Sequence, residues 1–109
     1  MIIDRVDLLL SVQRGLLENV FSKLRAVCAG STENTIFTYF YHDSEITEEE
    51  RELCEHAIDQ IMSDFFYASE NKPVIEFQMP VIRIDYPKRL PLRGDWVYYR
   101  HEDSSLYID

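Results

Sequence analysis

Glycine, cysteine and tryptophan are scarce in this chain, and basic residues are outnumbered. The 109 residues include three glycines, two cysteines, one tryptophan, and 11 Lys and Arg against 20 Asp and Glu. With so little glycine there is no Gly-rich phosphate loop, and no G-x-S-x-G elbow occurs. These absences remove the common nucleotide-binding and serine-hydrolase motifs. Cys28 and Cys54 sit on unrelated segments without metal-ligand spacing. A disulfide would need the fold to bring them together; two buried free thiols in a reducing compartment are the expectation. No run of 18 apolar residues occurs, so no membrane span is expected. The start, "MIIDRVDLLLSVQR", carries Asp4 and Asp7 and does not read as a secretion signal, which makes the expected location cytoplasmic.

What is present is a globular composition, 46% hydrophobic and 13% aromatic. One domain, residues 1–109, is the expectation at this length. The net charge of −9 is unevenly placed. Residues 1–40 hold four acids and four bases, whereas residues 41–70 hold ten acids against Arg51 alone. Residues 71–101 reverse the balance, with six bases and three acids, and the last eight residues add three acids. An acidic chain repels nucleic acid and anionic membranes and attracts basic partners. A charged helix face is also commonly no more than a solvated one.

The coarse organisation reads α-β-β-α-β-β. In "VDLLLSVQRGLLENVFSKL" the apolar residues Val6, Leu9, Leu10, Leu16, Leu17 and Val20 follow a helical spacing. "LRAVCAG" reads as a strand ending at Gly30, "STENT" as a turn, and "IFTYFYH" as a second strand, the two forming a hairpin. Thr47 followed by Glu50 is a capping box, and Glu48, Glu49 and Glu50 fill a first helical turn. The helix runs to about Phe66, with Cys54, Ala57, Ile58, Ile61 and Phe65 as its core stripe. After "YASENKP", the stretch "VIEFQMPVIRIDYP" alternates Ile75, Phe77 and Met79 with polar residues. Pro80 there marks an edge strand, a bulge or two strands in sequence. "PKRLPLRGD" is a basic loop. "WVYYRHE" is the last strand, with Trp96, Tyr98 and Arg100 expected on one face and Val97, Tyr99 and His101 on the other. The fold class is α+β, an antiparallel sheet packed against two helices.

The segment "YHDSEITEEERE", residues 41–52, gathers six carboxylates. Capping accounts for part of it. It does not account for Glu48, Glu52, Glu55 and Asp59, spaced i, i+4, i+7, i+11 opposite the core stripe. Asp43, Glu45 and Glu48 lack the glycine turn and ligand rhythm of a calcium loop. Cys54 and His56 diverge on the helix, so no metal is expected. His42 and His101 each end a strand and read as polar surface. Catalytic carboxylate pairs need one member in an apolar pocket, and these stand together in water. No catalytic residue and no cofactor is expected. On the second strand Phe37, Tyr39 and Tyr41 share one face and Ile36, Thr38 and Phe40 the other. Two helices are few to cover both faces of a sheet, so some rings are expected to be exposed and to suit a protein interface. Base stacking on them would need a basic surround, which is missing.

The pieces "QRGLLENV", "LRAV", "IFTYFYHDSEITEEERELCEHAIDQIMSDF" and "IRIDYPKRLPLRGDWVYYRHE", taken in this order, resemble small bacterial immunity proteins of polymorphic-toxin loci, of the colicin-like or contact-dependent growth-inhibition kind. The resemblance spans residues 11–102. It implies a non-catalytic inhibitor of a cognate toxin domain, often a nuclease. The matching residues look like scaffold, so it carries over no contact residue. The residues themselves point the same way. A nuclease site is cationic, and carboxylates can mimic the phosphates it holds. The expected partner surface is Asp43, Glu45, Glu48, Glu52, Glu55 and Asp59, with Tyr39 and Tyr41 as anchors. The expected partner is a basic nuclease toxin domain, bound by a monomer or weak homodimer with no direct contact to nucleic acid or membrane. The competing reading is a homodimeric structural or adaptor protein that pairs through its sheet.

Overall fold

The computed structural model describes residues 3–65 and 76–109. The expected end of the second helix at Phe66, the loop "YASENKP" and Ile75 lie outside the described residues. The elements are α1 (Arg5–Leu16), β1 (Leu24–Ser31), β2 (Thr35–His42), α2 (Glu48–Asp64), β3 (Glu76–Gln78), β4 (Val81–Arg83) and β5 (Asp95–Tyr99), with a short 3-10 turn at Ser104–Leu106.

α1 starts where Asp4 accepts the N–H groups of Val6 (2.8 Å) and Asp7 (3.1 Å), satisfying two of the donors that a helix start leaves open. It buries Leu8, Ser11, Val12, Gly15 and Leu16. The expected apolar stripe is therefore displaced: Val6, Leu10, Leu17 and Val20 face outward. The helix also ends earlier than the apolar spacing suggests. Leu17 turns to ψ 125°, Glu18 takes a positive φ of 66°, and the Asn19 side chain donates to the Gly15 carbonyl at 2.8 Å. Gly15 sits against α2. A Cβ there would lie 3.0 Å from the Ala57 carbonyl oxygen, so the missing side chain sets how closely the helices approach.

β1 and β2 form the expected antiparallel hairpin, and β5 pairs antiparallel on the other side of β1. β3 and β4 instead run parallel to β2, in one unbroken register from Thr35↔Glu76 to His42↔Arg83. The sheet is therefore mixed, and the expectation of an all-antiparallel sheet is corrected. The reason is the crossover. A strand, a helix packed on the sheet face and a returning strand bring the chain back to its starting end, which gives parallel pairing. Pro80 divides this edge strand in two. It has no N–H to give, and its carbonyl accepts the Phe40 N–H at 3.0 Å. The order is thus α-β-β-α-β-β-β.

Both helices cover one face of the sheet. Leu8, Val12, Leu16, Leu24, Val27, Ile36, Phe40, Cys54, Ala57 and Ile61 make the main core there. A smaller core on the opposite face joins Ala26, Cys28, Tyr41 and Leu90. Leu90 comes from the basic loop, which folds across that face. Cys28 and Cys54 are buried and free, one in each core.

Two bulges break the alternation. In β5 the register shifts where Val27 pairs with Tyr98 but Cys28 pairs with Trp96. As a result Val97 and Tyr98 both pack on the helix-side core, while Trp96 and Tyr99 meet edge to face with centroids 4.9 Å apart. The expected grouping of Trp96 with Tyr98 is corrected accordingly, since one extra residue flips all that follow. The second bulge lies between Leu24 and Ala26 and turns Arg25 inward.

Candidate protein-binding surface

The start of α2 builds the acidic surface. Thr47 Oγ1 accepts the Glu50 N–H at 3.1 Å, and Glu50 Oε1 accepts the Thr47 N–H at 2.8 Å. Lys23 Nζ stands 3.2 Å from the same glutamate oxygen. The Thr47 N–H, and next the Lys23 ammonium, hold the Glu50 carboxyl below its ordinary value. Thr47 is thus the N-cap and Glu50 its capping-box partner. Thr47→Ala is expected to lower the unfolding free energy by about 1 kcal/mol, read from urea denaturation. An unchanged midpoint would show that the box adds nothing.

Glu45, Glu48, Glu52, Glu55 and Asp59 are exposed. Among the described residues none of these five side chains has an ion-pair or hydrogen-bond partner. The four on α2 lie on one outward face, turned from Cys54, Ala57 and Ile61. Like charges a turn apart repel by a few tenths of a kcal/mol, roughly. Changing Glu52, Glu55 and Asp59 together to Gln is expected to leave the urea midpoint unchanged or slightly raised. A triple variant that unfolds would make the stripe structural.

The remaining expected residues separate from these. Asp43 is half-buried and occupied: it lies 3.2 Å from Arg100 Nη2 and accepts the Tyr86 N–H at 3.3 Å. Tyr41 is 1% exposed, and burial pushes its hydroxyl up to about 12. It is a core ring and offers no surface to a partner, which corrects its assignment as an anchor. Tyr39 is half-buried beneath the Arg93 guanidinium, 5.6 Å from the ring centroid. Both tyrosines project from the sheet face opposite the helices, so they cannot share one flat contact with the α2 acids.

A second charged constellation lies inside the fold, around Arg25. Arg25, fully buried, makes a two-pronged pair with Glu102 at 2.7 and 2.8 Å. Its remaining nitrogen donates to the carbonyls of Ile84 and Lys88, each at 2.8 Å, and Tyr86 lies under the guanidinium at 5.6 Å. Glu102 also accepts from Tyr107 at 2.7 Å and from Arg100 at 2.8 Å. The signal in the sequence was a lone arginine inside the apolar strand "LRAVCAG". His42 is buried with Nδ1 2.9 Å from the Ser44 carbonyl, and His101 is exposed. Among the described residues no group of three His, Cys, Asp or Glu is placed to hold a metal. No described helix is long and apolar enough to cross a membrane.

The fold is thus a small α+β one in which the α2 acids are exposed without an ion-pair partner among the described residues, while the buried charges are committed to the scaffold. The sequence model of the MafI2 immunity protein family matches residues 5–102, nearly the whole chain, and the chain belongs to that family. This makes it a toxin immunity protein, whose partner is a cognate toxin. The family is MafI2 rather than the colicin-like or contact-dependent growth-inhibition immunity proteins that the sequence resembles. Such families are generally non-enzymatic. No curated protein matches the chain.

Proposed function

We propose that this immunity protein neutralises a basic nuclease toxin domain in the cytoplasm by laying the outer face of α2 over its phosphate-binding site. The observation that carries the reading is the row Glu48, Glu52, Glu55 and Asp59, exposed and without cationic partners among the described residues. A folded chain that leaves four like charges side by side gives up a little stability. A cationic cleft restores favourable pairing to each of them. Long-range attraction speeds the encounter, and desolvated contacts set how long the complex lasts. Glu45 stands just before the helix and extends the same charge, whereas Asp43 is held in the Arg100 pair.

The test is a nuclease assay with the cognate toxin domain. The domain is expected to degrade nucleic acid alone and to stop at one equivalent of the immunity protein. A toxin domain that is bound and blocked but has no activity on nucleic acid would end the nuclease assignment. A domain that is not bound would end the proposal entirely.

A further inference from the structure

α1 and α2 lie side by side and antiparallel on one sheet face. Ser11 and Arg14 of α1 reach Asp64 near the end of α2, at 2.6 and 3.1 Å. Gly15, further along α1, meets Ala57, nearer the middle of α2. Their outward sides form a single layer. On α2 that layer carries the acids. On α1 it carries apolar side chains: Val6 is 60% exposed, Leu10 46% and Leu17 70%. At 3.6 residues per turn, Val6 and Leu10 stand one above the other, opposite buried Leu8 and Val12. Leu17 and the exposed Val20 prolong the strip beyond the helix end.

We infer that this apolar strip is the anchoring half of the toxin interface, beside the acidic steering half on α2. The inference rests on the proposed α2 contact and names what holds the complex once it has formed. The charges around the strip select the occupant. Arg5 is paired with Asp95 at 2.8 Å and Arg14 with Asp64, so both bordering cations are already committed. Asp7 and Glu18 are exposed at its edge without a cationic partner among the described residues. A second copy of a chain with net charge −9 would be repelled from this layer, and so would an anionic membrane. A basic protein domain that presents an apolar ridge next to its cationic cleft fits both stripes at once. Exposed aliphatic side chains in a row are also what a surface left without a partner would avoid. The strip supplies the anchors that Tyr39 and Tyr41, on the opposite sheet face, cannot.

The decisive measurement is stopped-flow and surface-capture kinetics with the toxin domain, using Leu10→Ser combined with Leu17→Ser. The expected result is a dissociation rate raised about tenfold or more, with the association rate and its salt dependence unchanged. Leu10 is half-exposed inside the helix, so the double change should lower the urea midpoint only slightly, and Leu17→Ser alone, outside the helix, should leave the midpoint in place and give part of the effect. Leu92→Ser, exposed on the basic loop of the other face, should change nothing. An unchanged dissociation rate overturns the anchor and leaves the toxin reading intact. Absence of any wild-type complex overturns both. A wild-type dimer that the double change dissociates, with toxin binding untouched, would make the strip a self-contact and also overturn the inference.

Discussion

Glu102→Gln is expected to lower the unfolding free energy by about 3–5 kcal/mol, the usual result of stripping one partner from a buried ion pair. The Arg25 and Glu102 side chains are 0% and 2% exposed. Glutamine keeps the shape of the carboxylate but not its charge, so the guanidinium would remain desolvated and uncompensated. The loss should spread, because Arg25 also holds the carbonyls of Ile84 and Lys88, and Glu102 receives Tyr107 from the last residues of the chain. Urea denaturation at neutral pH reads the effect. Arg25→Met combined with Glu102→Leu should be less damaging than the sum of the single changes, since it leaves no orphaned charge. A Glu102→Gln variant within about 1 kcal/mol of wild type would show that the pair is not a keystone.

The same pair sets an acid limit. Burial alone would push the Glu102 carboxyl up. Hydrogen bonds from Arg25, Tyr107 and Arg100 outweigh it and bring the group down from 4.5 to about 2. A carboxyl whose folded value lies below its unfolded value contributes stability that is full above the unfolded value and disappears as pH falls through the folded one. The contribution should therefore be intact above about pH 4.5 and fade toward pH 2. In Glu102→Gln that part of the acid transition should be missing.

Much of this architecture is visible in the sequence, because the signals involved are local. Thr47 and Glu50 announce the start of α2, and the run Thr35–His42 announces β2 through its branched and aromatic residues. What escaped depends on distant partners. The parallel pairing of β3 and β4 follows from where α2 docks, which periodicity does not encode. The bulges at Arg25 and near Trp96 insert one residue and reverse every later face. No composition rule places them. α1 is apolar on two sides: Leu8, Val12 and Leu16 look inward while Val6, Leu10 and Leu17 look outward. Both rows have helical spacing. Similarly, Asp43 and Glu45 look alike in the sequence. Only the arrival of Arg100 from the far end of β5 separates a structural carboxylate from a free one.

Neutralising the α2 row is expected to have the largest effect on function. With Glu48, Glu52, Glu55 and Asp59 all changed to Gln, association with the toxin domain should slow by about tenfold or more at low salt. The four side chains have no ion-pair partner among the described residues and face only Arg51 one turn away on the same helix, so most of their field is available to an approaching partner. Exposed charges are screened beyond about 8 Å at physiological ionic strength. The wild-type association rate should therefore fall steeply with salt, and the quadruple variant should show a much flatter dependence. Its dissociation rate should change less, because the anchor inferred on α1 is left intact. Cells relying on the variant should tolerate less toxin. Changing Glu33 or Asp109, exposed acids away from the helix layer, to the matching amide should leave the rate close to wild type. This separates a directed field from the overall charge of −9. An association rate indifferent both to salt and to the four substitutions would remove the helix from the interface. The contact would then lie on the opposite sheet face, where Arg93 covers Tyr39.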